Sequence, residues 1–219
     1  MKTVTYYSDT SGLDDPSVYS TAYASMPEYR RRKIDNFVFP KDKKLSMGVE
    51  LLLRKALEDL GENPKDIILI KNNKPALRGS DIQFNLSHSE RKVMCSVSDE
   101  DVGCDVEKVV PINLDIARRY FFRSEYDAIS SVDEKERFDL FYRYWTLKES
   151  FMKATGLGFE LPLDAFEIHL GDAITVSQEV DGREYHFKEY SVDDGYRYAC
   201  CSPNVDFEDM MRYVPFVKP

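Results

Sequence analysis

Cysteine is scarce in this sequence, with four residues in 219, and no two of them stand in a C-x-x-C pair. That spacing is the usual mark of a structural zinc site, so no zinc is expected. Cys95, Cys104 and the adjacent Cys200 and Cys201 read as reduced, mostly buried small residues of a cytoplasmic protein. Long apolar runs are missing as well. The start, MKTVTYYSDTSGLDD, has no apolar signal-peptide core, and no run approaches the length of a membrane span. Basic charge is in deficit: 30 Lys and Arg against 39 Asp and Glu leave a net charge of −9. A broad basic field for nucleic acid is therefore absent, and any phosphate must be met by a local cluster of cations. Low-complexity segments, long linkers and clean internal repeats are absent too.

What is present is core material. Hydrophobic residues make up 42% of the chain and aromatics 13%, enough for one large domain or two small ones. Residues 2–7 have the composition of a strand. From Lys41, the apolar positions Leu45, Met47, Val49, Leu52, Leu53 and Ala56 give a long helix a buried face, and Gly61 stops it. Residues 66–71 read as a strand before the turn Asn72-Asn73-Lys74-Pro75. Alternation over 82–86 predicts a strand running into a polar turn. Residues 92–97 and 102–107 predict two short strands. One helix is expected over 112–130, a stronger one from Glu134 to Thr155, and three strands between Phe166 and Cys201. Helices packed on antiparallel sheet make an α+β fold. A boundary near Val102–Asp105 gives comparable halves, 1–103 and 104–219.

Three segments carry chemistry. In Phe84-Asn85-Leu86-Ser87-His88-Ser89, small hydroxyls beside a histidine suit phosphate oxygens, or else bond their own backbone in a turn. In Val102-Gly103-Cys104-Asp105-Val106-Glu107, strand alternation sends the two Val and Cys104 into the core. Gly103, Asp105 and Glu107 share the other face, with the glycine leaving open space beside two carboxylates. Hard cations such as Mg²⁺ favour that kind of oxygen site; a solvated strand face is the alternative. In Tyr144–Lys153, helical spacing puts Trp145, Glu149 and Lys153 on one stripe. Glu149 and Lys153 are then either a surface ion pair or a metal ligand one turn from a phosphate-binding lysine.

Taken in order, these three segments resemble the 4'-phosphopantetheinyl transferases of the monomeric, surfactin-synthetase-activating type. The family pattern is FNxSHS, then GxDxE, then WxxKES with a lysine four residues after the glutamate. The run GLGFELPL at 156–163 is also similar. Asn73, Glu90 and Phe159 depart from the pattern, which often has Gly, Gly and Leu there.

The resemblance implies two similar α+β subdomains related by pseudo-two-fold symmetry, with antiparallel sheets packed by helices and coenzyme A in the cleft between them. It implies that Asp105, Glu107 and Glu149 hold Mg²⁺ against the coenzyme's diphosphate. Lys148 and Lys153 would lie beside those phosphates, and Ser87 and His88 would meet phosphates and ribose. Lys74 and Pro75 would border the adenine. Arg30, Lys33 and Ser46 match positions at the 3'-phosphate, and the cluster Arg30–Lys33 with Lys41, Lys43 and Lys44 supplies the local positive field. The implied partners are coenzyme A and an apo peptidyl or acyl carrier protein, with no nucleic acid and no membrane. The implied setting is a cytoplasmic monomer serving nonribosomal peptide and antibiotic biosynthesis.

The expected reaction moves the phosphopantetheine arm to a carrier serine and releases adenosine 3',5'-bisphosphate. Glu149 is the first choice of general base, followed by Glu107 and His88, with Lys153 neutralising charge. Tyr120-Phe121-Phe122 reads either as carrier-facing surface or as core. Two rivals remain: a two-metal phosphodiester hydrolase, and a binding module without catalysis.

Overall fold

Pro40 opens the first long helix at its N-terminal end, where a missing N–H costs nothing. Twenty residues later the helix ends, and Gly61 takes the left-handed conformation at φ 76° that closes it. The computed structural model describes residues 1–69 and 75–217, without the side chain of Phe159. In chain order its elements are β1 (Val4–Asp9), α1 (Pro16–Ser25), α2 (Glu28–Asn36), α3 (Pro40–Asp59), β2 (Ile67–Leu69), β3 (Pro75–Leu77), β4 (Gln83–Ser89), β5 (Lys92–Ser98) and β6 (Gly103–Lys108). There follow α4 (Asp115–Tyr120), α5 (Arg123–Ser131), α6 (Glu134–Ala154), β7 (Glu167–Leu170), β8 (Ile174–Ser177), β9 (His186–Tyr190), β10 (Tyr196–Ser202) and β11 (Arg212–Tyr213).

Each half lays one long helix on an antiparallel sheet, as expected of an α+β fold. In the first half α3 packs on β1, β5 and β4. In the second, α6 packs on β6 and β10, with β9 beyond. Leu52, Leu53 and Ala56 of α3 meet Val4, Val93 and Val97 in one core. Leu147 and Phe151 of α6 meet Phe166 and Ala199 in another. A third core joins the halves: Met94 of β5 packs with Val102, Cys104, Val106, Tyr198 and Cys200. The alternation expected at 102–107 therefore holds. All four cysteines are free and buried. No helix among the described residues is long and apolar enough to cross a membrane.

Several expectations need correction. The helix read over 112–130 is two helices, because Phe121 and Phe122 are extended and the Glu125 carboxylate caps the Phe122 N–H at 2.9 Å. Ser87-His88-Ser89 continue β4 and are not a turn. Ile70 to Lys74 lie outside the described residues, so most of the expected turn there is not described. β11 pairs in parallel with β1, and Phe216 is buried in the first half's core.

Candidate active site

β4 and β6 belong to different sheets, and side chains join them. The Asn85 Oδ1 accepts from the Cys104 N–H at 3.2 Å, the Ser87 Oγ from the Val106 N–H at 3.4 Å, and the Ser89 Oγ from the Lys108 N–H at 3.3 Å. Strand period explains the pattern: every second side chain of β4 faces every second amide of β6. The same hydroxyls then donate to carboxylates. Ser87 reaches the Asp105 Oδ1 at 2.7 Å, and Ser89 reaches the Glu107 Oε2 at 2.6 Å.

α6 closes the other side. A Cβ on Gly103 would stand 1.9 Å from the Ser150 carbonyl oxygen and 2.4 Å from the Ala154 nitrogen. The glycine therefore does not leave open space, as expected, but admits the helix backbone. That approach brings Lys153 onto Asp105. The Lys153 Nζ donates to the Asp105 Oδ1 at 2.7 Å, the Cys104 carbonyl at 3.1 Å and the Ser87 Oγ at 3.3 Å. Lys153 thus bridges to β6 rather than forming a surface pair with Glu149. Burial, the largest single influence, would lower the amine's pKa, but the charges of Asp105, Cys104 and Glu149 and the hydrogen bond to Asp105 together outweigh it, and the pKa is raised.

The carboxylates are poorly solvated. Burial lifts Glu107 to about 7, against the hydrogen bond from Ser89. Burial also raises Glu149, which is 8% exposed, against the pull of Lys153. Two buried oxygens, the Asp105 Oδ2 and the Glu149 Oε1, have no hydrogen-bond partner. Orphaned buried acceptors are rare, and here two occur in one acidic cluster. Among the described residues, no three His, Cys, Asp or Glu side chains stand ready-made around a metal position. The expected ligand trio is therefore not preassembled, but its two partnerless oxygens fit a cation.

Beside this cluster run two cavities that share Pro75 and Leu86. One, of about 300 Å³, is lined by Arg30, Lys33, Ser46 and His88. The other, of about 310 Å³, is lined by Lys153, Gly156 and Gly158. Arg30 is held at the first by Glu50, whose Oε2 accepts from the Arg30 Nε at 2.9 Å and from the Tyr29 hydroxyl at 2.6 Å. Burial, with Arg30 nearby, lowers Lys33. Burial, Lys153 and Lys33 lower His88 from 6.5, favouring a neutral ring. The Ser46 Oγ is buried without a partner.

The sequence matches the 4'-phosphopantetheinyl transferase superfamily over residues 101–201 and the 4'-phosphopantetheinyl transferase N-terminal family over residues 15–99. It is 34% identical over 193 residues to 4'-phosphopantetheinyl transferase Sfp of Bacillus subtilis, covering 85% of this chain and 86% of that one. It is 32% identical over 192 residues to 4'-phosphopantetheinyl transferase gsp of Aneurinibacillus migulanus, covering 86% and 81%. The chain belongs to the 4'-phosphopantetheinyl transferase family. A solved holo-[acyl-carrier-protein] synthase of Thermotoga maritima is similar at TM-score 0.40 and 22% identity, over 46% of this chain and 61% of that one.

In this transferase most of the expected residues converge. Asp105, Glu107, Glu149, Lys153 and Ser87 form the acidic cluster, while Arg30, Lys33, Ser46, Pro75 and His88 line the cavities. Lys74 lies outside the described residues. Lys148 is the exception. It is fully buried, pairs with the Glu125 Oε1 at 2.8 Å, and donates to the Leu163 and Phe166 carbonyls at 2.9 Å each. The Lys148 amine lines neither cavity, so it is not directed at a phosphate, whereas Lys153, which also has three acceptors, lines one of them. Of the aromatic triplet, Phe121 is core while Tyr120 and Phe122 are exposed.

Sequence reasoning missed Glu50 and Glu125, and placed Asn85 and Ser89 in a phosphate-binding or turn segment without seeing their partners on β6. Glu50 and Glu125 carry a signal in retrospect, an acid set among apolar residues on one helix face. Asn85 and Ser89 complete an N-x-S-x-S alternation whose period matches that of the acidic strand.

Proposed function

We propose that this transferase binds coenzyme A across the two cavities and moves its phosphopantetheine arm to a serine of an apo peptidyl or acyl carrier protein. The observation that carries the site assignment is the pair of orphaned oxygens on Asp105 and Glu149 beside Lys153, next to a basic cavity in a chain of net charge −9. Anionic phosphate and a divalent cation together complete such a cluster, since each alone leaves charge uncompensated.

In this reading Arg30, Lys33, Ser46 and His88 receive the nucleotide phosphates, and Pro75 borders the base. Asp105, Glu107 and Glu149 hold Mg²⁺, which supplies charge neutralisation at the diphosphate when bound. Lys153 stands beside the same phosphates and adds positive charge where the leaving oxygen becomes negative. The carrier serine oxygen attacks the β-phosphorus, and the bond from that phosphorus to the bridging oxygen breaks. Adenosine 3',5'-bisphosphate leaves with the bond's electrons, and the serine proton passes to the Glu149 carboxylate, directly or through a water. The implied setting is a cytoplasmic monomer serving peptide-antibiotic synthesis.

Incubation with coenzyme A, Mg²⁺ and several apo carrier proteins, read by intact mass, tests this. One phosphopantetheine should add per carrier, and EDTA should abolish it. Consumption of coenzyme A without an acceptor serine would instead indicate hydrolysis. Glu149→Gln should lower turnover by about a thousandfold, roughly 4 kcal/mol, while coenzyme A still binds. Near-normal turnover in that variant removes Glu149 from the role.

A further inference from the structure

We infer that Ser89 is a positioning residue for Glu107, an inference that rests on the reading of Glu107 as a cation ligand. The hydroxyl is held from two sides. Its oxygen accepts from the Lys108 N–H at 3.3 Å, so its single proton is free to point at the Glu107 Oε2, 2.6 Å away. A serine hydroxyl has one proton to give, and this geometry assigns it to the carboxylate.

The contrast with Asp105 gives this bond its weight. Asp105 is short, nearly buried and gripped at one oxygen by both Ser87 and Lys153. Glu107 is longer, only half-buried, and among the described residues Ser89 is its sole hydrogen-bond partner. Without that bond the carboxylate is free to turn about three side-chain torsions. With it, one oxygen is pinned to β4 and the other is left for a ligand. Hydrogen bonds to ligating carboxylates commonly change metal affinity by tenfold or more.

Ser89 also closes the seam between β4 and β6, so loss of fold has to be separated from loss of aim. Asn85 provides the comparison. It makes the same kind of seam bond, to the Cys104 N–H, and touches neither carboxylate; because it also lines the 310 Å³ cavity, each variant is first brought to its own saturation with coenzyme A.

Mn²⁺ binding is measured by electron paramagnetic resonance with saturating coenzyme A, and thermal unfolding is measured on the same samples. Ser89→Ala should weaken Mn²⁺ by about ten- to a hundredfold, and Ser89→Thr, which keeps the hydroxyl, should restore it to within about threefold. Asn85→Ala should lower the melting temperature as Ser89→Ala does, yet keep Mn²⁺ affinity within about twofold. Unchanged affinity in Ser89→Ala, or an equal loss in Asn85→Ala, overturns the inference while leaving the cation reading intact. Absence of Mn²⁺ binding by the wild-type protein overturns both.

Discussion

Two lysines of α6, Lys148 and Lys153, each pair with a buried carboxylate, and they end in opposite situations. At Lys148 the arrangement is closed. Its amine has Glu125 and two carbonyls, and the Glu125 carboxylate also takes the Ile168 N–H at 2.8 Å and the Phe122 N–H at 2.9 Å. At Lys153 the arrangement is open: Asp105 and Glu149 each keep one oxygen with no partner. A satisfied buried network fixes shape, whereas an unsatisfied one carries a standing cost that a ligand removes. Within one turn and a half of helix, the first serves architecture and the second chemistry.

The strongest way to break this contrast is to remove each amine in turn. Lys148→Met strands Glu125 in the core and should cost about 3–5 kcal/mol in denaturant unfolding. Lys153→Met should cost less stability, about 1–2 kcal/mol, because its side chain is a quarter exposed and Ser87 still donates to Asp105. Its turnover should fall by about a hundredfold or more, roughly 3 kcal/mol. Equal losses of stability in the two variants would erase the distinction.

A smaller effect is expected at the hairpin that carries Ser89. Glu90 sits at φ 52°, a conformation that costs most residues about 1–2 kcal/mol, and its pair with Lys41 at 2.8 Å is exposed on both sides. Glu90→Gly should therefore stabilise the protein by about 0.5–1 kcal/mol, read as a raised denaturant midpoint. A loss would show that the Lys41 pair outweighs the backbone strain.

The smallest effect concerns His88, whose pKa is lowered by burial and then by Lys153 and Lys33. Its folded value lies below the unfolded 6.5, so the unfolded state takes up the proton first. Wild-type stability should thus decline relative to His88→Gln as pH falls from 6.5, and the two should run parallel above it. A difference that grows with rising pH instead would reverse the assigned direction. Repeating the titration in Lys153→Met should shrink the effect, and in Lys148→Met should leave it unchanged.

Much of the site was legible because strand and helix periods are local. Asp105 and Glu107 on one face, and Val102, Cys104 and Val106 on the other, follow from a two-residue repeat. The stripe of Glu149 and Lys153 follows from a four-residue spacing. What periodicity could not decide was which element covers each face. The role of Gly103 depends on α6, which begins thirty-one residues later. The fate of Lys148 depends on Glu125, on a different helix, and its place beside Glu149 made it look like part of the site. The break between α4 and α5 likewise follows from a cap that needs Lys148 to hold Glu125 in place. The serine ladder was half visible: its hydroxyls were noticed as candidates for phosphate, but their first partners are amides and carboxylates of β6.

The parallel strand β11 has a consequence for biosynthesis. The sheet begun by residues 4–9 lacks its outer strand until residues 212–213 exist, and the core beneath it lacks Phe216 until then. A nascent chain leaving the ribosome therefore cannot complete its first half ahead of its second. Vectorial assembly, half after half, is closed to this topology, because residues 212–216 complete the sheet and core begun at residues 4–9.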